Sequence, residues 1–116
     1  GFYVELAKIY NEQGRASEKK ALVDEILIML QEDVDSGHNM NLEYADVYLN
    51  LMNDVKNAMK YVQKEYSKRP KNIDVNIAMA AIAKAEGDVE KQRKYAVLAS
   101  KTNSQKPELK NMLAGL

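Results

Sequence analysis

The chain contains no cysteine and no tryptophan, and it has only two prolines and one histidine among its 116 residues. Without cysteine it has no disulfide, no thiolate metal ligand and no nucleophilic thiol. An excess of charge of one sign is also missing, because 17 Lys and Arg residues balance 17 Asp and Glu residues. Nucleic-acid-binding domains usually carry a basic excess, so the composition argues against nucleic acid as a partner.

Long hydrophobic runs are absent as well. Runs such as residues 26–30 are far shorter than the roughly 20 residues that cross a bilayer, so no membrane span is predicted. No signal-peptide pattern is present either. The chain begins with Gly1 rather than methionine, and from this we expect it to have been excised from a longer protein. Its compartment is therefore left open.

Helical periodicity runs through the whole chain. In the first segment apolar side chains recur at i, i+3, i+4 and i+7, on one helix face: Tyr3, Leu6, Ala7 and Tyr10. Caps, glycines and prolines divide the rest into further helices. The predicted helices are a first ending near Gly14, a second from a Ser17 cap to about Asp35, a third from an Asn41 cap to Met52, a fourth from an Asp54 cap to Pro70, a fifth from Asn72 to Glu86, a sixth from an Asp88 cap to about Thr102, and a seventh over 107–115.

A short pattern recurs within this helical series. Asp54-Val55 and Lys60-Tyr61 reappear, with one common offset, as Asp88-Val89 and Lys94-Tyr95. That offset, about 34 residues, is typical of helix–turn–helix units that stack on one another, and we call it the repeat period. The predicted units are residues 2–36, 40–71 and 72–104, and the helix over 107–115 is expected to cover the open end of the stack.

The positions that carry the pattern are Tyr3, Leu6-Ala7, Tyr10 and Gly14 in the first unit, Leu42, Ala45, Leu49, Ala58, Val62 and Pro70 in the second, and Met79-Ala80, Gly87-Asp88, Ala96 and Ala99 in the third. Together they resemble the tetratricopeptide repeat family. The resemblance implies an all-α, right-handed solenoid of about three hairpins plus a C-terminal capping helix. The interval from Gly14 to Asn53 exceeds the repeat period by five positions, and the extra residues are assigned to the second helix and the loop over 36–39.

Members of that family bind ligands in a concave groove lined mainly by the first helix of each unit. By position, the resemblance implies the following groove residues here: Lys8, Asn11, Glu12, Tyr44, Val47, Asn50, Ile77, Ala81 and Lys84. Tyr44 and Ile77 would be apolar anchors, and the asparagines would hydrogen-bond the backbone of an extended peptide.

Few residues suggest chemistry. His38 follows Gly37 in a polar stretch with no nucleophile implied by spacing, so an exposed loop residue is predicted. Asp33, Asp35 and Glu43 flank it, but their spacing lacks the glycine and the glutamate of an EF-hand loop. The sequence therefore predicts no catalytic residue, no cofactor and no metal site.

Two further patterns remain open to more than one interpretation. Lys60, Lys64 and Lys68 form a stripe that an anionic partner could contact, but overall neutrality and the neighbouring Glu65 favour a solvated face. Residues 26–30 are apolar on all sides, which favours core burial and leaves an interface as the alternative.

The sequence predicts a non-catalytic module that binds an unidentified protein or peptide. The alternative is a structural or regulatory segment packed against another domain of a larger enzyme or sensor. Such a segment is expected to expose an apolar N-terminal edge over residues 2–4 and to self-associate through it.

Overall fold

The computed structural model describes residues 2–101, with only the backbone of residue 2. Within this range the chain is all-α, as predicted, with six helices and no strand. The helices are α1 (Phe2–Glu12), α2 (Ala16–Asp35), α3 (Asn41–Asp46), which a π-helical segment (Val47–Leu51) continues, α4 (Val55–Lys68), α5 (Ile73–Ala85) and α6 (Val89–Ser100). The predicted capping helix over 107–115 lies outside the described residues.

Two of the four predicted N-caps are confirmed. Asp54 accepts a hydrogen bond from the backbone N–H of Asn57 at 3.1 Å, and Asp88 accepts one from Lys91 at 3.0 Å. The same contact thus recurs at the two positions that the repeat period relates. Each satisfies one of the amide groups that a helix N-terminus leaves without a partner.

The other two predicted caps are wrong. Ser17 lies inside α2, which begins one residue earlier, and Arg15 occupies the N-cap position without a side-chain hydrogen bond. Asn41 is the first residue of α3 rather than its cap, and its side-chain amide instead donates to Glu65. The Asn41 side chain thus bonds a residue that is distant in the sequence, Glu65, instead of the amide groups at the start of its own helix.

Each hairpin turns at a residue with positive φ. These residues follow α1, the π-helical segment and α5, at Gly14 (φ 69°), Asn53 (φ 51°) and Gly87 (φ 76°). Glycine and asparagine are the residues that enter this left-handed region at least cost, so the asparagine is a chemically suitable replacement.

The π-helical segment accounts for part of the irregular spacing. After each turn a backbone amide returns to the preceding helix: Arg15 and Asp88 bond carbonyls five residues back, whereas Asp54 bonds Tyr48, six back. The second hairpin therefore holds one more residue before its turn. One of the five extra residues lies in this segment, which corrects their assignment to the second helix and the loop alone.

The helices pack mainly in sequence order. α1 packs on α2, α3 on α4, and α5 on α6. Neighbouring hairpins are joined by contacts of α2 with α3, of α4 with α5, of α3 with α5, and of the π-helical segment with α1.

The core changes character along the chain. Around α2 and α3 the core is built mostly from large side chains. Its buried members are Ala7, Leu22, Val23, Ile26, Leu30, Tyr44, Val47 and Leu51. Between α5 and α6 it narrows to an alanine seam, defined as Ala80, Ala96 and Ala99, all of them 0% exposed. Of the apolar run 26–30, Ile26 and Leu30 are buried, but Ile28 is 61% exposed.

Candidate binding surface

One polar network joins predicted groove residues of the first two units. The Lys8 Nζ lies 3.6 Å from a carboxylate oxygen of Glu5 on the same helix, α1. It also lies 4.0 Å from a carboxylate oxygen of Asp46, which belongs to α3. Asp46 also accepts a hydrogen bond from the Asn50 side-chain amide at 2.5 Å. Asp46 thus brings Lys8 and Asn50 together, although the sequence prediction did not include it.

Asn11 and Glu12 complete the predicted contribution of α1. Both are exposed. The Asn11 Oδ1 accepts a hydrogen bond from the Lys19 ammonium of α2 at 2.9 Å, so it is oriented by the helix behind it. Its amide nitrogen donates no hydrogen bond to the described residues and is available to a ligand.

Tyr44 and Val47 lie in the core rather than on the surface. Val47 is 1% exposed and Tyr44 is 8% exposed. The Tyr44 ring stacks on Tyr61 at 4.8 Å between centroids, and Tyr48 stacks on Tyr61 at 5.7 Å. Burial and the two neighbouring tyrosines raise the pKa of the Tyr44 phenol. These three rings, the tyrosine stack, support the surface from beneath rather than anchoring a ligand.

The predicted α5 residues are divided between core and surface. Ile77 is half-buried and packs against the alanine seam, and Ala81 is half-buried as well. Lys84 is exposed and makes no ion pair with a described residue. The part of the predicted groove that reaches solvent is therefore mostly polar.

A buried carboxylate fixes the loop that precedes α3. Glu65 of α4 is 1% exposed, and its oxygens accept hydrogen bonds from the Asn39 and Asn41 amides at 2.5 and 2.8 Å and from Arg69 at 2.7 and 3.1 Å. Mainly through the two asparagine bonds, the pKa of Glu65 falls to about 2. We call these four residues the Glu65 network. The predicted lysine stripe is exposed to solvent, but Glu65 does not belong to that exposed face, because its carboxylate is buried and paired within the protein.

The outer face of α4 carries more basic charge than the sequence prediction recognised. Lys56 extends the stripe by one turn, so lysines recur every four residues over the whole helix, at Lys56, Lys60, Lys64 and Lys68. All four are exposed, and three of them line an open cleft of about 710 Å³ together with Met59 and Gln63. Like charges at i and i+4 destabilise a helix by about 0.2–0.5 kcal/mol per pair, so this face has a cost in stability.

The outer face of α6 exposes two valines to solvent. Val89 is 56% exposed and Val97 is 41% exposed, and both line an open cleft of about 520 Å³ with Leu98. Arg93 and Lys94 border it. None of the nine predicted groove residues lines this cleft or the one on α4. In the sequence, Val89 and Val97 lie eight residues apart, a spacing that places two side chains on the same side of a helix.

The loop over 36–39 offers little chemistry. His38 is exposed, as predicted, with its Nδ1 4.0 Å from an Asp33 carboxylate oxygen. Across residues 2–101 no three His, Cys, Asp or Glu side chains come close enough to hold a metal ion. Nor does any helix in that range have the length and hydrophobicity needed to cross a bilayer.

Comparison with protein-family models, with curated proteins and with solved structures finds no match to this chain.

Proposed function

We propose that this chain is a non-catalytic interaction module of the tetratricopeptide-repeat type, a right-handed stack of hairpins that binds a peptide or protein surface in a concave groove. The observation that carries the proposal is the packing of the first helices, with the π-helical continuation of α3 against α1 and α3 against α5. Helices in this order give stacked repeats an extended binding surface. The positive-φ residues Gly14, Asn53 and Gly87, one after the first helix of each hairpin, support three equivalent units.

The polar groups on this surface suit an extended peptide. Asn11 and Asn50 each have one half of the side-chain amide engaged and the other half without a hydrogen bond to the described residues. Lys84, which makes no ion pair with a described residue, adds positive charge at one end, whereas the Lys8 ammonium lies between the carboxylates of Glu5 and Asp46. Amide groups held in place by neighbours can pair with the N–H and C=O groups of an extended backbone. The π-helical segment, which carries Asn50, is of a kind that often occurs at functional sites.

A random-peptide library displayed on phage tests this function. We expect peptides enriched on the parent chain to lose binding to an Asn50→Ala/Lys84→Ala variant. A matched control, Gln63→Ala/Lys94→Ala, removes one amide and one lysine from the outer helices and is expected to retain binding. Amide chemical-shift changes confined to α1, α3 and α5 would support the groove. Equal loss in both variants, or shifts confined to α4 and α6, would contradict it.

The apolar face of α6 favours a second candidate, a structural segment that packs against another domain. Val89 and Val97 are exposed side chains of the kind found at interfaces between domains. A hydrophobic dye such as anilinonaphthalene sulfonate is then expected to fluoresce with the native chain and to lose that signal in a Val89→Lys/Val97→Lys variant. A native chain that leaves the dye dark would contradict this candidate.

A further inference from the structure

The charges of this neutral chain are sharply segregated. Residues 21–55 contain no lysine or arginine but have eight carboxylates, namely Asp24, Glu25, Glu32, Asp33, Asp35, Glu43, Asp46 and Asp54. Residues 56–71 then contain six basic residues, Lys56, Lys60, Lys64, Lys68, Arg69 and Lys71, and a single acidic one, Glu65. An overall neutral composition thus conceals an acidic region and a basic helix beside it.

The basic helix has no acidic neighbour that neutralises it locally. We call Lys56, Lys60, Lys64 and Lys68 the basic face; none of them lies within ion-pair distance of a carboxylate in residues 2–101. Asp54 acts on Lys56 only through space. Glu65, the one acidic residue of the helix, is buried and paired with Arg69 at 2.7 Å. The basic face therefore presents uncompensated charge to solvent.

The outer side of α2 has the complementary character. Asp24, Glu25 and Glu32, which we call the acidic face, are exposed and likewise make no ion pair within the described range. Ile28, which is 61% exposed, lies between them. The acidic face therefore has one apolar side chain among carboxylates, and the cleft on α4 has one apolar side chain, Met59, among lysines. The two surfaces are complementary in charge and alike in having an apolar centre.

We propose that the basic face of α4 binds the acidic face of α2 in a second copy of this chain. The repeat distances agree: the lysines recur every four residues, and so do Asp24, Ile28 and Glu32, which is about 6 Å per step along a helix. Laid side by side with Ile28 near Met59, the two helices set Lys56 and Lys64 near Asp24 and Glu32. Because each copy carries both faces, every copy can act as donor and as acceptor of this contact.

A second copy fits these observations better than a polyanion or an anionic membrane. Either of those would be attracted to the basic face but repelled by the eight carboxylates of the adjoining segment. A free acidic peptide would leave the acidic face and the exposed Ile28 without a role. This interface is separate from the concave groove, which is lined by α1, α3 and α5.

Sedimentation equilibrium of the full chain tests the interface. We expect self-association at low salt with a dissociation constant at least tenfold weaker at high salt, for example from about 25 mM to about 500 mM NaCl, because exposed charges are screened. Lys60→Glu/Lys64→Glu and Glu25→Lys/Glu32→Lys are each expected to be monomeric alone. The first leaves the α4 face with no net charge to attract the acidic face, and the second makes the α2 face positive like the α4 face. Mixed in equal amounts, they are expected to associate again.

The mixture separates loss of the contact from damage to the fold, because two misfolded variants would not restore association. A matched control, Lys94→Glu/Lys101→Glu, makes the same charge change on α6 and at the residue that follows it. Lys94 lies over Tyr95 as Lys64 lies over Tyr61. It is expected to associate like the parent chain. A parent chain that is monomeric at low salt, two variants that still associate alone, or a folded mixture that stays monomeric would each overturn the proposal. So would a monomeric parent that binds single-stranded DNA or anionic vesicles through the basic face.

Discussion

Two contacts between helices in this molecule are built from opposite chemistry. Where α2 leads into α3 and α4, the contact consists of the Glu65 network and the tyrosine stack. Between α5 and α6 it consists of the alanine seam, with no polar group at all among its three members. The first lies where the spacing between units is irregular, and the second lies in a unit that keeps the repeat period.

The difference shows that apolar packing is enough to join two regular helices but is not enough to position a loop. Alanines let two helix axes approach closely, but they carry no polar group that could select one particular partner. A loop of extra residues cannot be positioned by such a seam. A carboxylate that accepts bonds from Asn39, Asn41 and Arg69 specifies one loop position, because only that position satisfies all three donors.

Glu65→Gln is expected to have the largest effect. The amide cannot accept from all three donors and brings an N–H toward them, so the charge-assisted bonds are lost. A carboxyl whose pKa falls from 4.5 to about 2 contributes about 3 kcal/mol at neutral pH, and we expect that loss in urea unfolding at pH 7. Glu43→Gln, an exposed carboxylate on α3, is the matched control and should change little. A loss below about 1 kcal/mol in Glu65→Gln would contradict the network.

The same shift predicts a pH dependence of nearly the same size. Because the folded pKa is the lower one, the stabilisation is complete above about pH 4.5 and disappears as the pH falls through about 2. The difference in unfolding free energy between the parent chain and Glu65→Gln should therefore shrink from about 3 kcal/mol to less than about 1 kcal/mol over that range. A difference that stays constant with pH would show that packing, not ionisation, accounts for the loss.

The alanine seam should respond to size and not to pH. Ala80 is 0% exposed, so Ala80→Leu adds volume that the seam cannot accept and is expected to cost about 2 kcal/mol at any pH from 4 to 8. Ala85→Leu, at an exposed position of the same helix, is the control and is expected to be neutral. Thermal unfolding followed by circular dichroism measures both. Unchanged stability of Ala80→Leu would show that the seam is looser than its burial indicates.

The regular part of this chain was accessible from the sequence because local chemistry decides it. Asp54 and Asp88 cap their helices, and the turns at Gly14 and Gly87 form, through contacts within a few residues. The irregular part depends on partners far along the chain. Nothing near Glu65 indicates that it meets Asn39, 26 residues earlier, and helical spacing alone could not place Tyr44 in the core. Sequence periodicity therefore indicated which helix holds each of these residues, but it could not indicate which of them are buried.

The tyrosine stack is expected to contribute less than the carboxylate beside it. Tyr61→Leu keeps the apolar burial but loses the stacked contacts with Tyr44 and Tyr48, and we expect a cost of about 1.5 kcal/mol. Tyr61→Phe keeps the ring and should cost less than half of that. Urea unfolding measures the stabilities, and near-ultraviolet circular dichroism reports the ring packing. Equal losses in the two variants would assign the effect to the hydroxyl group instead of the stack.

The smallest expected effect tests whether the turns at Asn53 and Gly87 are structurally equivalent. Asn53 and Gly87, which the repeat period relates, both have left-handed backbone, and a Cβ added at Gly87 would meet no atom within 4 Å. Gly87→Asn is therefore expected to cost less than about 0.5 kcal/mol, whereas Gly87→Ala should cost about 1 kcal/mol, because asparagine tolerates this conformation better than alanine. Asn53→Gly and Asn53→Ala should repeat the same order. Alanine could prove the costlier replacement at Gly87 and the less costly one at Asn53. In that case the π-helical segment would have changed the turn at Asn53. The Glu65 network and the alanine seam would then lie in hairpins that differ in backbone as well as in side-chain chemistry.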